Sequence, residues 1–276
     1  MEDWQIVPEI VGCNAALRMA ALRAAHAVEE GRHVVLEGEV GTGRRLLARS
    51  AWYQRSPGAR SLFTLDCRIF PAEDAEALLF GERITSGAHT TIQLGKLNLA
   101  AGGGLLLLNA EYLSLATQKR LARTLEDSLL RPRSEGVQLL MTCAPSSHAP
   151  LLFHPELAAL LLRIHVPPLR ERAEDIRAIA EAFLCHECPF ERIVCSQELI
   201  EKFCAYHWPG NIFELRSVLR RLLLESHSGV LDVCHVAGLM GRDQNCLSLL
   251  QGGHREAGTD AGPSHIGLAA GARGMQ

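Results

Sequence analysis

Lysine is scarce in this sequence: only Lys96, Lys119 and Lys202 stand among 28 basic residues, so arginine carries most of the positive charge. A charge bias is also lacking, because the formal net charge is −3 at pH 7, and this excludes a general attraction to nucleic acid or membranes. No apolar stretch is long enough to span a membrane. The opening MEDWQIVPEI lacks the basic run and apolar core of a secretory signal. We therefore expect a cytoplasmic protein with no membrane partner.

Cysteine is present at nine positions, and without a secretory signal these predict reduced thiols rather than a disulfide framework. The spacing of Cys185 and Cys188 fits half of a structural zinc site, with Cys195 and Cys204 downstream. A second close pair is missing, so buried thiols or a chance pair is the favoured interpretation. No metal site is predicted, and zinc remains the minor alternative.

Apolar runs alternate with helical stretches along the first part of the chain. The runs LFTLDC (62–67), GLLLLN (104–109) and GVQLLMTCA (136–144) predict buried strands, and 115–130 predicts a helix between them. The stretch HVVLEGEVGTG predicts another strand, which runs into a glycine turn, and RRLLARSAWYQRS predicts a helix after it. This alternation predicts an α/β domain with a mostly parallel sheet.

The pattern changes after Pro167 and Pro168. The segments EDIRAIAEAFLCHE, SQELIEKFCAYHW and NIFELRSVLRRLLLES predict helices with no strand among them, and Ser196 is the expected N-cap of the second. From Gln251 onward, seven glycines in 26 residues predict a disordered tail. The predicted divisions are an α/β domain at 1–167, a helical domain at 168–247 and the tail at 248–276.

The stretch GEVGTGRRL (38–46) has the glycine spacing of a loop that cradles phosphate. Backbone N–H groups of such a loop and of the following helix N-terminus can face a phosphate. Arginine stands where these loops place a lysine. The predicted nucleotide-binding residues are Gly38, Glu39, Val40, Gly41, Thr42, Gly43, Arg44 and Arg45.

Over about residues 9–240 the chain resembles the central AAA+ domain of bacterial sigma-54-dependent activators. The motifs that carry the resemblance are IVG (10–12), GEVGTGRRLLA (38–48), LFGE (79–82), AAGGGLLLL (100–108), PPLRERAEDI (167–176) and WPGNIFEL (208–215). The resemblance implies a P-loop NTPase three-layer sandwich with a parallel sheet, followed by a small all-α lid domain. It also implies a homo- or hetero-oligomeric AAA+ ring with ATP bound between subunits.

Several positions depart from the family at places where its chemistry occurs. The guanidinium of Arg44 is a wider fork than the family's lysine and should fit the phosphate cradle poorly. Asn109 and Ala110 replace an Asp-Glu pair that holds Mg²⁺ and polarises the attacking water. Glu111 is a candidate substitute only if its strand ends one residue early.

The resemblance implies further replacements at positions that serve the family's catalysis. Asp66 replaces an asparagine that restrains the catalytic glutamate, Ala144 a sensor asparagine and Phe213 a sensor arginine. His154 and Leu160 stand at the arginine-finger positions, with Arg163 displaced. Each change removes a group that would stabilise charge during phosphoryl transfer. No catalytic residue is therefore predicted; the degenerate positions are Arg44, Asp66, Asn109, Ala110, Ala144 and Phe213.

Partner-binding features of the family are also reduced. The loop GAFTGA, which contacts sigma-54, should follow LFGE, but RITSGAHTTIQLGKL keeps only Gly87 and Ala88 of it, so contact with sigma-54 is in doubt. The sequence after Gly241 is too short for two packed helices, so no DNA-binding domain is recognised. Arg216, Arg220 and Arg221 are interpreted as a solvated helix face, with a phosphate-binding stripe as the alternative.

The sequence thus favours a sigma-54 activator-like AAA+ protein in transcription regulation that has lost hydrolysis. ATP is a candidate ligand, weakly held by the loop backbone, and Mg²⁺ binding is in doubt. Two alternatives stay open: a working ATPase that uses Arg44 and Glu111, and a protein-interaction module that binds no nucleotide.

Overall fold

The computed structural model describes residues 11–54, 61–86, 89–129, 136–144, 153–226 and 229–239. The predictions for Gly87, Ala88 and the tail at 248–276 lie outside these ranges. The described helices and strands are, in chain order, α1 (Ala15–Glu29), β1 (His33–Glu37), α2 (Arg44–Tyr53), β2 (Leu62–Asp66), α3 (Ala72–Phe80), β3 (Gly81–Ser86), β4 (His89–Leu94), α4 (Lys96–Leu99), β5 (Gly104–Leu108), α5 (Leu115–Leu129), β6 (Gln138–Cys143), α6 (Pro155–Leu160), β7 (Leu161–His165), α7 (Ile176–Glu187), β8 (Val194–Cys195), α8 (Gln197–Ala205), α9 (Asn211–Glu225), β9 (Val230–Leu231) and α10 (Val233–Leu239).

A parallel sheet of five strands forms the centre of the α/β domain, in the order β2-β5-β6-β1-β7. The strands β1, β5 and β6 are nearly continuous apolar runs because both faces are covered, whereas the edge strands β2 and β7 are partly exposed. Leu105 and Leu107 pack on one face in a cluster that includes residues of α3 and α5, and Leu106 and Leu108 pack on the other with α1 and α2. The predicted strands and the three-layer sandwich are therefore confirmed. Strand β7 was not predicted, since its residues continue the apolar run of α6 without a break.

The helical lid, α7 to α10, packs around its own apolar cluster, whose large members include Phe203 and Trp208. Ser196 caps α8 as predicted, because its Oγ accepts a hydrogen bond from the Leu199 N–H at 3.2 Å. The expectation of an all-α lid was wrong in one respect: β8 and β9 pair in parallel. Strands of two residues are too short to show a periodicity in sequence. The domain boundary near residue 168 stays a prediction.

An antiparallel hairpin of β3 and β4 is inserted between α3 and α4, and its register runs from the Gly81–Leu94 pair to the Ser86–His89 pair. These two strands were not predicted from the sequence. The glycine of the LFGE motif begins the hairpin with φ +82°, and a Cβ there would lie 2.4 Å from the Gln93 carbonyl oxygen. Glycine is required at this corner for both reasons.

Candidate functional site

The predicted phosphate loop joins the end of β1 to the start of α2, as its sequence pattern indicated. Gly41 and Gly43 have φ of +83° and +96°, which side chains rarely adopt. A Cβ at Gly41 would also lie 2.4 Å from the Gly210 carbonyl oxygen. Inside the loop, the Thr42 hydroxyl donates to the Glu39 carbonyl oxygen at 2.8 Å. The first N–H groups of α2 have no partners within the helix and lie beside this loop.

The lid holds the outer side of the loop through a network that sequence reasoning missed. Arg170 donates from both terminal nitrogens to the Glu39 carboxylate, at 2.8 and 2.6 Å. Asn211 Nδ2 donates to Glu39 Oε2 at 3.1 Å and to the Val40 carbonyl at 3.0 Å. Arg172 Nη2 donates to the Thr42 carbonyl at 2.6 Å. Hydrogen bonds from Arg170 are the main cause of the lowered pKa of Glu39, so this loop residue anchors the lid with its side chain.

Arg44 begins α2, and its side chain is only 7% exposed. Its Nη1 is buried and has no hydrogen-bond partner among the described residues. Burial lowers the pKa of the Arg44 guanidinium, while the Glu111 and Cys143 side chains act in the opposite direction. Arg44 is thus a desolvated cation whose Nη1 donor is unsatisfied in the described part of the chain.

Asp66 and Asn109 meet at the carboxyl ends of β2 and β5. Asn109 Nδ2 donates to Asp66 Oδ1 at 2.7 Å, and Arg68 Nη2 donates to Asp66 Oδ2 at 3.2 Å. Partial burial would raise the pKa of Asp66, but the hydrogen bonds from Arg68 and Asn109 together outweigh it and leave the pKa lowered. Asn109 has φ +55°, a conformation that asparagine tolerates better than most residues.

Glu111 lies on a 3₁₀ turn, Ala110–Tyr112, because β5 ends at Leu108 and Asn109 leaves the strand. Its Oε1 accepts a hydrogen bond from the Ala144 N–H at 3.2 Å, at the end of β6. Its Oε2 is buried without a hydrogen-bond partner among the described residues. The early strand end that the sequence analysis required for Glu111 is therefore present. Ala110 itself is fully buried.

A cavity of about 570 Å³ opens between the loop, the carboxyl ends of β2 and β5, and α9. We call it the arginine cavity, and its charged lining residues are Arg44, Arg45, Arg49, Arg68, Arg216 and Asp66. Phe213 lines it with a side chain that is 75% exposed. Sequence reasoning missed Arg49 and Arg68; the spacing of Arg45 and Arg49 by one helical turn was the available signal.

A second cavity of about 310 Å³ adjoins the first, and we call it the apolar cavity. Its apolar lining comes from Val11, Leu17, Leu46, Leu47, Ile179, Ala182, Phe183 and Ile212. Gly43, Leu46, Ile212 and Arg216 line both cavities. One molecule with an apolar and an anionic part could therefore occupy the two together.

Three of the other residues that the sequence analysis named make contacts away from the arginine cavity. Arg163 lies on β7 and donates to Glu37 Oε1 at 2.5 Å, and the His154 N–H donates to Gln118 Oε1 at 2.8 Å. Arg220 pairs with Glu187 at 2.8 Å, so it does not share the cavity position of Arg216.

The described ranges contain no group of three or more His, Cys, Asp or Glu side chains that could hold a metal ion. Within the same ranges, every helix is too short or too polar to cross a bilayer.

Two family models match successive segments of the chain. Residues 10–137 match the sigma-54 interaction domain. Residues 170–246 match the AAA+ ATPase lid domain.

The chain is 28% identical over 244 residues to the anaerobic nitric oxide reductase transcription regulator NorR of Vibrio vulnificus, an alignment that covers 82% of this chain and 48% of NorR. It is 31% identical to the hydrogenase transcriptional regulatory protein HoxA of Bradyrhizobium diazoefficiens, covering 72% of this chain and 47% of HoxA. The chain thus spans about half the length of these curated relatives.

Solved structures share the fold. NtrX from Brucella abortus in complex with ADP superposes with a TM-score of 0.64 at 23% identity, covering 78% of this chain and 51% of that one. A RuvB variant of Thermotoga maritima gives a TM-score of 0.59 at 14% identity, covering 87% and 73%. At these identities the likeness shows the fold alone. With both domain matches in place, the chain belongs to the AAA+ proteins that carry the sigma-54 interaction domain, the family of sigma-54-dependent transcription regulators.

Proposed function

We propose that this chain is a regulatory subunit of the sigma-54 activator type that binds nucleotide weakly and does not hydrolyse it. It assembles into a ring, with itself or with active relatives, and so alters sigma-54-dependent transcription. The observation that carries the proposal is the edge of the sheet beside the loop. There Asn109 and Ala110 occupy the family's carboxylate positions, and the Asn109 amide is engaged by Asp66.

The residues of the site do not fit Mg²⁺, the metal that the family implies. Magnesium prefers carboxylate and water oxygens in an octahedral arrangement. Asp66 is the carboxylate among the described residues that line the arginine cavity. Its two oxygens accept hydrogen bonds from Arg68 and Asn109. The other charged side chains of the cavity are arginines, which would repel a cation.

The preserved loop and the paired cavities support nucleotide binding. The loop presents backbone N–H groups at the N-terminus of the ten-residue helix α2, an arrangement that favours phosphate. The apolar cavity, at about 310 Å³, is within the usual range of small-ligand sites. The base would occupy the apolar cavity and the phosphates the arginine cavity.

Purified protein given ATP and Mg²⁺ is expected to release phosphate at least about tenfold more slowly than an active family member, since losing even one charge-stabilising group typically costs about 10²–10³ in rate. A coupled phosphate-release assay measures this. The matched control is the AAA+ domain of an active relative, prepared and assayed in the same way. Turnover within tenfold of that control would remove the proposal.

The position of Glu111 favours a second candidate, a working ATPase in which this glutamate polarises the water. It lies on the turn after β5, and its buried Oε2 lacks a hydrogen-bond partner among the described residues. This candidate requires that Glu111→Gln abolish any measurable turnover. The exposed Glu191→Gln serves as the control that should leave turnover unchanged. Equal turnover in the two variants would contradict a catalytic Glu111.

A further inference from the structure

We propose that the arginine cavity takes a nucleoside polyphosphate free of divalent cation, with arginine side chains neutralising the charge that Mg²⁺ neutralises elsewhere. This inference rests on the proposed binding of nucleotide at the phosphate loop. It adds which charge state of the nucleotide binds and whether Mg²⁺ accompanies it. A protein that does not hydrolyse ATP could bind it with or without the metal.

The charge of the cavity is the first support. Five arginines and one aspartate line it. The aspartate, Asp66, is paired with Arg68 at 3.2 Å, so four arginines face the cavity without a carboxylate of the lining to balance them. A concave site with several like charges concentrates ions of the opposite sign. Its ligand should therefore be a polyanion.

The free arginines approach the cavity from two different helices. Arg45 and Arg49 lie one turn apart on α2, and Arg216 lies on α9 of the lid. None of the three has a carboxylate within 4 Å among the described side chains. Arg216 lies over the Phe183 ring at 5.1 Å, and Arg49 lies over the Tyr53 ring at 6.0 Å. These ring contacts position the guanidinium groups and leave their N–H donors available.

Arg44 provides the second, independent observation. Its guanidinium is more than nine-tenths buried and lines the cavity, and its Nη1 lacks a hydrogen-bond partner in the described part of the chain. The Glu111 side chain favours the charged guanidinium, but a buried donor that lacks a hydrogen-bond partner is still unfavourable. A phosphate oxygen would satisfy this donor through a charge-assisted hydrogen bond.

The preference for a metal-free ligand follows from competition for the same oxygens. Mg²⁺ bound to ATP occupies phosphate oxygens and removes negative charge from the ligand. In a site with carboxylates the metal adds attraction, but here it would be repelled by the surrounding arginines. The Mg²⁺ complex should therefore bind more weakly than free ATP.

Isothermal titration calorimetry of the full chain with ATP, in EDTA and in saturating Mg²⁺, tests this. We expect binding about tenfold tighter in EDTA, as repulsion of a divalent cation by several partly screened arginines implies. The double variant Arg49→Gln/Arg216→Gln should weaken binding in EDTA by about tenfold. Inorganic tripolyphosphate, titrated in EDTA, should show the same loss in this variant.

The control Arg23→Gln/Arg192→Gln removes the same charge from exposed positions outside both cavities and should leave the affinity unchanged. Tighter binding of ATP in Mg²⁺ than in EDTA overturns the inference while retaining nucleotide binding as proposed above. An equal loss of affinity in the two double variants also overturns it. Absence of ATP binding under both conditions overturns the inference and the nucleotide part of the proposed function together.

Discussion

Trp208→Ala is expected to lower the free energy of unfolding by about 5 kcal/mol, the upper end of the range for replacing a buried large aromatic by alanine. The indole is fully buried in the lid cluster. Its ring packs edge-on against Phe203 and Tyr206, with centroids 5.4 and 5.0 Å away. Its Nε1 donates to the Phe203 carbonyl at 2.7 Å. Alanine would lose these contacts and leave a cavity at the centre of the lid.

Urea denaturation followed by circular dichroism measures this loss. Phe190→Ala is the matched control, because Phe190 is 99% exposed in the same domain and its removal should change stability by less than about 0.5 kcal/mol. A Trp208 variant that unfolds at the same urea concentration as the control would show that the lid is not built around this side chain.

Asn211→Ala should destabilise the protein by about 3 kcal/mol, since it leaves the buried Leu169 N–H unpaired at about 1–3 kcal/mol and removes two part-buried hydrogen bonds. The Asn211 side chain is fully buried. It accepts a hydrogen bond from the Leu169 N–H at 2.7 Å and donates to the Val40 carbonyl and the Glu39 carboxylate. Its φ of +52° adds strain for alanine. The same residue thus joins the start of α9 to the backbone at Leu169 and to the phosphate loop.

Asn98→Ala provides the comparison, because Asn98 is an exposed asparagine in α4 and its side chain should contribute little. Unfolding in urea again supplies the measurement. If the two asparagine variants lose the same stability, then the lid does not depend on Asn211 for its attachment to the loop.

Most of the α/β domain was predictable from sequence, for a physical reason. Strands such as GLLLLN are buried on both faces, so they consist of uninterrupted apolar residues that any reading of periodicity detects. The glycines of the loop were equally readable, because φ values of +83° and +96° favour that residue. The strands β3, β4, β8 and β9 escaped prediction because they are short or lack a clear alternation.

The site was predictable only in part. Sequence comparison by resemblance identified Asp66 and Asn109 as separate departures from the family, but their hydrogen bond joins residues 43 positions apart. The prediction for Glu111 depended on where β5 ends. Moving the end of the strand by one residue changes the direction in which the Glu111 side chain points. No motif indicated that Arg49 and Arg68 line the cavity. The residues that line a cavity come from several helices, strands and loops, so they form no pattern along the sequence.

By itself, the sequence determined the family and the layered fold, because short motifs and local periodicity carry both. The tertiary structure decided which side chains surround the phosphate loop. Packing of the lid brought Asn211 onto Glu39. It also brought Arg216 to the cavity that Arg44, Arg45, Arg49 and Arg68 line from the α/β domain. The electrostatic potential in the cavity depends on the distances between charged side chains that are remote in the chain. Only the folded structure fixes those distances.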